Sequence, residues 1–127
     1  MIDVYFASLL KIVAASPAVN SSSITLDQRS ANIGLVRGEI YFLDGSVLHV
    51  REFVNTQSGV ERYMYVFHYR RADGSQVFRY DNTDHYPELP TAPHHKHLAE
   101  GDSPQPTTPP DLAVVLNEIE LLIAASR

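Results

Sequence analysis

Two Asp-Gly pairs set the architecture that this sequence can adopt. Asp44-Gly45 and Asp73-Gly74 each lie between runs in which apolar and polar residues alternate. Asp-Gly supplies the positive φ angles that a two-residue type I′ hairpin requires, and alternation with a period of two is typical of strands. Each pair therefore predicts a hairpin. The predicted strands are 35–43 turning into 46–54, and 60–72 turning into 75–82.

Helices are predicted on either side of these hairpins. Apolar residues recur at helical spacing over residues 2–15, and Ser16-Pro17 ends that pattern because the residue before a proline is pushed out of the α region. A second apolar stripe predicts a closing helix over residues 109–125, after a Thr108-Pro109-Pro110-Asp111 sequence that resembles a capping box. The segment NSSSITLDQRS predicts an exposed edge strand. The fold class is therefore α+β, a curved antiparallel meander of four to five strands with an N-terminal and a C-terminal helix.

The length and composition favour a small cytoplasmic protein. A chain of 127 residues suits a single domain, 1–127, with a Pro-rich linker at about 99–108 before the closing helix. The sequence contains no cysteine, which excludes disulfides and thiolate zinc sites and fits a reducing compartment. The N-terminal apolar run has no basic segment before it and is too short to span a bilayer, so we expect no membrane association.

Charge is unevenly distributed along the chain. The formal net charge is −5, but residues 62–97 carry five Lys and Arg against four Asp and Glu, a net +1 before any of their five histidines is protonated. The overall acidity argues against an indiscriminate nucleic-acid binder, which would carry a broad basic face. A confined basic patch remains compatible with the sequence.

The second hairpin predicts a register and two distinct faces. If Asp73 and Gly74 are the turn residues, the cross-strand pairs are Tyr69 with Phe78, Phe67 with Tyr80, His68 with Arg79 and Val66 with Asp81. One face then carries Tyr63, Tyr65, Phe67, Tyr69, Phe78 and Tyr80. The other carries Met64, Val66, His68, Arg70, Val77, Arg79 and Asp81. We interpret the aromatic face as a core layer against the helices; a stacking platform for unpaired bases is the alternative.

Residues 77–98 hold the groups best suited to chemistry. This stretch contains four of the six histidines, with arginine, lysine and several carboxylates, and few periodic apolar residues. Cleavage of RNA needs one group to take the 2′-hydroxyl proton, one to protonate the leaving oxygen, and a cation for the charge that develops. The residues assigned to catalysis are Arg79, Asp81, His85, His95 and His97. Those assigned to nucleic-acid binding are His68, Tyr80, Asn82, His94 and Lys96.

Each residue type in this set has an expected role. The catalytic histidines are expected to move protons, Arg79 and Lys96 to bind phosphate, and Asp81 to orient a histidine or Arg79. The structural alternatives are a solvated polar cluster across the strands and the capping of a proline-fixed loop.

A metal site is a weaker interpretation of the same histidines. In an extended chain His95 and His97 point to one side and His94 to the other, so a metal would need His85 or an aspartate as a further ligand. The cluster lacks the helical i, i+4 spacing of a zinc hydrolase. We therefore predict no metal and no cofactor.

Three segments carry a family resemblance. In chain order they are GEIYFLDGSVLHVREF, ERYMYVFHYRRADGSQVFRYDN and PHHKHL, followed by the closing helix. Together they resemble the TumE-type toxins of prokaryotic toxin–antitoxin pairs, over residues 1–125. After Asn82, where that pattern commonly has a histidine pair or His-Pro, this chain has Thr83-Asp84-His85-Tyr86-Pro87. The positions carried over by the resemblance are Glu52, Arg79, Tyr80, Asp81, Asn82, His85, His94, His95, Lys96 and His97.

The resemblance implies a small cytoplasmic toxin encoded beside a DNA-binding antitoxin that occludes it. Ribonuclease activity is our inference from the toxin class and from histidine chemistry, and it makes RNA the expected substrate. A homodimer is compatible with the sequence. The alternatives are a non-catalytic nucleic-acid or protein-binding module and a metal-dependent hydrolase built on the histidine loop.

Overall fold

A computed structural model of the protein describes residues 1–82, 94–99 and 104–126. This part of the chain contains two helices and seven strands. In order they are α1 (Ile2–Ala15), β1 (Val19–Gln28), β2 (Ile33–Phe42), β3 (Val47–Asn55), β4 (Glu61–Arg70), β5 (Gln76–Asp81), β6 (His95–His97), β7 (Gln105–Pro106) and α2 (Leu112–Ala125). The strands form one antiparallel sheet in which each pairs with the next along the chain. The α+β meander with a helix at each end is confirmed.

The predicted number of strands is wrong. The sheet has seven strands within the described residues, whereas the sequence predicts four to five. The two additional strands, β6 and β7, are three and two residues long, which is too short to show a period-two pattern. β7 also falls in the segment predicted as a linker, of which residues 100–103 lie outside the described part of the chain.

Both Asp-Gly hairpins have three-residue loops instead of the predicted type I′ turns. In the second hairpin the Arg71 amide donates to the Ser75 carbonyl, and the Gly74 amide donates to the Arg71 carbonyl, each at 2.9 Å. A type I′ turn needs positive φ at both central residues, but Gly74 has a φ of +89° and no described non-glycine residue has a positive φ. The Asp73 carboxylate instead accepts from the Ser75 amide at 2.9 Å. The first hairpin has the same pattern around Gly45.

The predicted register of β4 and β5 is nevertheless confirmed. The observed pairs are Tyr69 with Phe78, Phe67 with Tyr80, His68 with Arg79 and Val66 with Asp81. A three-residue loop would by itself shift this register by one residue. The shift is cancelled because Arg70 pairs with Gln76 and the next pair begins at Phe78, which leaves Val77 as one extra residue on β5.

The two helices cover one face of the sheet, and the core lies between the helices and the sheet. Residues of both helices pack in one cluster with the aromatic side chains of β4 and β5. Those aromatic residues, Tyr65, Phe67, Tyr69, Phe78 and Tyr80, are buried, which confirms the interpretation as a core layer. We call the side that neither helix covers the open face.

Tyr63 does not lie on the face predicted for it. The pairing of β3 with β4 shifts between Phe53 and Val54, so that Val54 pairs with Arg62. Tyr63 therefore turns toward the open face, where it is 51% exposed and its ring centroid lies 5.5 Å from that of Phe53. The bulge is the physical reason, because an extra residue reverses the alternation of side chains beyond it.

The closing helix begins later than predicted. The sequence places its start at residue 109, whereas α2 begins at Leu112 with Asp111 as the N-cap. The Asp111 carboxylate accepts from the Val114 amide at 2.9 Å. The prolines before it delay the start because a residue that precedes proline avoids the α region. Among the described residues, neither helix is long and apolar enough to cross a membrane.

Candidate functional site

Strands β5 and β6 bring four of the predicted catalytic residues to one place. Asp81 pairs with His95, and Arg79 pairs with His97. Because side chains on a strand alternate between faces, residues 79 and 81 share one face with their partners at 97 and 95. That face is the open one. We call Arg79, Asp81, His95 and His97 the Asp81 cluster.

The Asp81 carboxylate connects the members of this cluster. Its Oδ1 lies 2.6 Å from His95 Nε2, and its Oδ2 accepts from Arg79 Nε at 3.0 Å. The side chains of Asp81 and His95 are only 4% and 2% exposed, whereas that of Arg79 is 40% exposed. A carboxylate held between an imidazole and a guanidinium fixes the orientation of both, so the arginine is presented to solvent in a defined position.

His97 completes the cluster and creates a set of atoms that could hold a metal ion. Its ring meets that of His95 edge to face, with 5.2 Å between the centroids. One ligand atom from each of Asp81, His95 and His97 lies within 4.8 Å of the other two. Two imidazoles and a carboxylate are a recognised donor set for zinc and related ions. His95 and His97 lie on the same side of the chain, as the sequence predicts.

His68 extends the cluster by one strand, because it pairs with Arg79. Its Nε2 is buried and has no hydrogen-bond partner among the described residues. Burial lowers the pKa of His68, and the neighbouring charges of Arg70 and Arg79 lower it further. A lowered pKa keeps the ring neutral near pH 7, which suits His68 to accept a hydrogen bond rather than to supply a proton.

Tyr80 and Lys96 lie on the helix side of the sheet, where they contact α2. Lys96 Nζ donates to Glu118 at 2.8 Å and lies 4.6 Å from the Tyr80 ring centroid, and the Tyr80 hydroxyl donates to Glu118 at 2.6 Å. Burial by itself would lower the pKa of Lys96, but the bonds to Glu118 and Tyr80 outweigh it and raise the pKa. The predicted contact between Lys96 and phosphate stays a prediction.

His94 and Asn82 both contact Tyr65. The Tyr65 hydroxyl lies 2.9 Å from His94 Nδ1, and the two rings are within 10° of parallel. The Asn82 side-chain oxygen accepts from the Tyr65 amide at 3.0 Å, which extends the ladder beyond β5. Burial lowers the pKa of His94, with Arg62 and His95 adding to the effect, and burial raises the pKa of Tyr65 to about 12.

A second polar cluster lies inside the core, and sequence reasoning found only one of its members. Glu52 is 0% exposed, accepts from the Tyr5 hydroxyl at 2.5 Å and lies 3.4 Å from Arg62 Nη1. The Arg62 guanidinium also lies 4.6 Å from the centroid of the Tyr65 ring, which connects this cluster to His94. A signal was present, because Glu52 falls among apolar residues on the buried side of β3.

The described residues therefore divide the predicted site between the two faces. Arg79, Asp81, His95 and His97 meet on the open face with His68 beside them. His85 lies outside the described residues.

A family model described as Toxin TumE matches residues 9–126, which is nearly the whole chain. No curated protein and no solved structure matches the chain.

Proposed function

The chain belongs to the TumE toxin family, and from this premise we propose that it is the toxin of a type II toxin–antitoxin pair and acts on RNA as a metal-independent ribonuclease. Membership of a toxin family gives the reason to expect a cognate antitoxin as partner. The activity on RNA is inferred from the side chains of the Asp81 cluster.

The observation that carries the proposal is the exposed guanidinium of Arg79 beside two histidines. Arg79 uses Nε for Asp81, so its two terminal nitrogens can bind a phosphate in the bidentate manner that arginine favours. Its 40% exposed side chain gives RNA access to them. A cation in this position would stabilise the negative charge that develops on the phosphoryl oxygens during cleavage.

Burial divides the proposed roles of the histidines. His95 is 2% exposed and lies against Asp81, so we assign it as a positioning residue. His97 is half-buried at the surface of the cluster and is the proposed group that exchanges a proton with RNA. In the reaction the 2′-oxygen loses its proton and attacks phosphorus, the bond to the 5′-oxygen breaks, and that oxygen receives a proton. His85 remains the predicted second proton-transfer group.

A metal-dependent hydrolase is the second candidate, because Asp81, His95 and His97 offer three ligand atoms close together. The contact between Asp81 and Arg79 argues for the metal-free mechanism. A dication on this carboxylate would lie near the guanidinium, and like charges at such a separation repel in a partly buried site.

Incubation of the protein with RNA, with and without a chelator, separates these functions. We expect cleavage in the presence of chelator, lost in His97→Ala and kept in Lys11→Ala. Lys11 is a suitable control because it is exposed on α1, on the side of the sheet opposite the Asp81 cluster. Loss of cleavage on chelation supports the metal-dependent hydrolase, and binding without cleavage supports a non-catalytic module. Far-UV circular dichroism confirms that each variant is folded.

A further inference from the structure

Two arginines face each other in the middle of the open face. Arg37 on β2 pairs directly with Arg51 on β3, and both side chains are exposed. Within residues 1–82, 94–99 and 104–126 neither guanidinium has an ion pair. Like charges directly opposite each other destabilise a sheet. An anion between the two guanidiniums would remove that repulsion and accept hydrogen bonds from both.

An aromatic pair adjoins the two arginines on the open face. Phe53 lies two residues after Arg51 on β3 and so shares its face, and Tyr63 reaches the same face because of the bulge in β4. Their ring centroids are 5.5 Å apart; Tyr63 is 51% exposed, and Phe53 is partly buried. Cationic side chains beside exposed aromatic rings are the combination that binds single-stranded nucleic acid, because the rings stack on unpaired bases while the cations follow the phosphates.

The cleft beside Arg37 adds neutral hydrogen-bonding groups to these charges. It has a volume of about 360 Å³ and is lined by the hydroxyl side chains of Ser23, Thr25 and Tyr41, together with Glu39 and His49. Hydroxyl groups are common partners of phosphate oxygens in nucleic-acid complexes. The Tyr41 hydroxyl already donates to Glu39 at 2.6 Å, so Ser23 and Thr25 are the more available donors.

The arginine pair lies in the same row of the sheet as the Asp81 cluster. Arg51 pairs with Val66, and Val66 pairs with Asp81. Two strand spacings separate the backbones of Arg51 and Asp81, a distance of roughly 10 Å. A nucleic-acid strand with one phosphate at Arg79 would therefore reach the arginine pair within a few nucleotides.

We propose that Arg37 and Arg51, with Phe53 and Tyr63 beside them, form a binding site for single-stranded RNA on the open face. This rests on the proposed function, because it supplies the surface that would hold the RNA on one side of the cleaved phosphate. The arginine pair binds backbone phosphates, and the aromatic pair stacks on a base.

The test measures binding to a 2′-O-methylated RNA oligonucleotide, which lacks the 2′-hydroxyl and so cannot be cleaved by the proposed mechanism. We expect Arg37→Gln and Arg51→Gln each to weaken binding about tenfold at low salt. Each should also reduce the slope of log affinity against log salt by about 0.7, the value for one phosphate contact with a single strand. Lys11→Gln is the charge-matched control, because Lys11 is exposed on α1, on the helix side of the sheet.

Tyr63→Ala separates stacking from charge. We expect it to weaken binding about fivefold or more through the lost stacking contact. The salt slope should stay unchanged, because no phosphate contact is removed. Thermal unfolding checks that the arginine variants are folded, and removal of one of two opposed charges should leave the melting temperature equal or higher.

The outcomes for this site and for the ribonuclease are distinguishable. Wild-type affinity and slope in Arg37→Gln and Arg51→Gln overturn the binding site, whether or not the protein cleaves RNA. An equal loss in Lys11→Gln also overturns it, since total charge then explains the binding. Loss in the two arginine variants alone supports the site, and if the wild type then cleaves no RNA, only the ribonuclease function is refuted.

Discussion

The ion pair between Arg62 and Glu52 allows a stability prediction to be worked out in detail. Arg62→Met retains an unbranched, largely aliphatic side chain at this position. It removes the guanidinium that lies 3.4 Å from Glu52 and donates to the Pro110 carbonyl. Among the described residues, Glu52, at 0% exposure, then keeps only the hydrogen bond from Tyr5. Removing one partner of a buried pair costs about 3–5 kcal/mol. Because the ion-pair distance is long, we expect about 3 kcal/mol at neutral pH, at the lower end of that range.

This loss should depend on pH. Burial raises the pKa of Glu52 above its ordinary value of 4.5, although Tyr5 and Arg62 oppose the shift. A carboxyl with a raised folded-state pKa contributes stability below its unfolded-state pKa and loses that contribution as pH rises through the folded-state pKa. Arg62→Met raises the folded-state pKa further. The difference in unfolding free energy between wild type and variant should therefore be small near pH 4.5 and grow toward neutral pH.

Urea denaturation of both proteins at the two pH values provides the assay. Arg70→Met is the matched control, because Arg70 is exposed and has no ion pair within the described residues, so its effect should stay within about 0.5 kcal/mol. Adding Glu52→Gln to Arg62→Met should recover part of the stability, since the unpaired charge is gone. An equal loss at both pH values would refute the reasoning, because the buried charge would then not be its cause.

Two further substitutions test the Asp81 cluster and the second hairpin. Asp81→Asn keeps the shape of the side chain but removes the charge that holds Arg79 and His95. RNA cleavage should therefore fall sharply, and the unfolding free energy should fall by about 2 kcal/mol. A variant that cleaves RNA normally would contradict the orienting role of Asp81. Gly74→Ala should cost about 1–2 kcal/mol of unfolding free energy because of the left-handed backbone. Apart from Gly74 and its chain neighbours, no described residue has a heavy atom within 4 Å of the added Cβ, so a thermal shift indistinguishable from zero would contradict a backbone origin.

Local sequence signals were sufficient for the hairpins but not for their loops. Asp-Gly marks a reversal of the chain, and the alternating runs beside it identify the strands. The choice between a two- and a three-residue loop depends on which residues adopt a positive φ. In the second hairpin the Asp73 carboxylate accepts from Ser75, and of the pair only Gly74 adopts a positive φ. The β4–β5 register was predicted correctly only because the extra residue at Val77 compensates for the longer loop.

The same limit applies to the candidate site. Alternation placed His68, Arg79 and Asp81 on one face and separated His94 from His95, and both relations are observed. Alternation cannot detect a bulge, which is why Tyr63 was assigned to the wrong face. Alternation also cannot predict that His95 and Asp81 are buried together. Their contact depends on the pairing of β5 with β6, which no local pattern indicates.

The position of the Asp81 cluster depends on the helix that lies across the sheet from it. Strand β6 has only three residues, and so short a strand is held weakly by its backbone pairing alone. Lys96, at its centre, is bonded to Glu118 of α2, and Glu118 also accepts from Tyr80 on the neighbouring strand. These bonds attach β6 and β5 to the same helix side chain. Because the residues on either side of Lys96 point to the open face, the contact with α2 also fixes where the two histidines of the cluster stand.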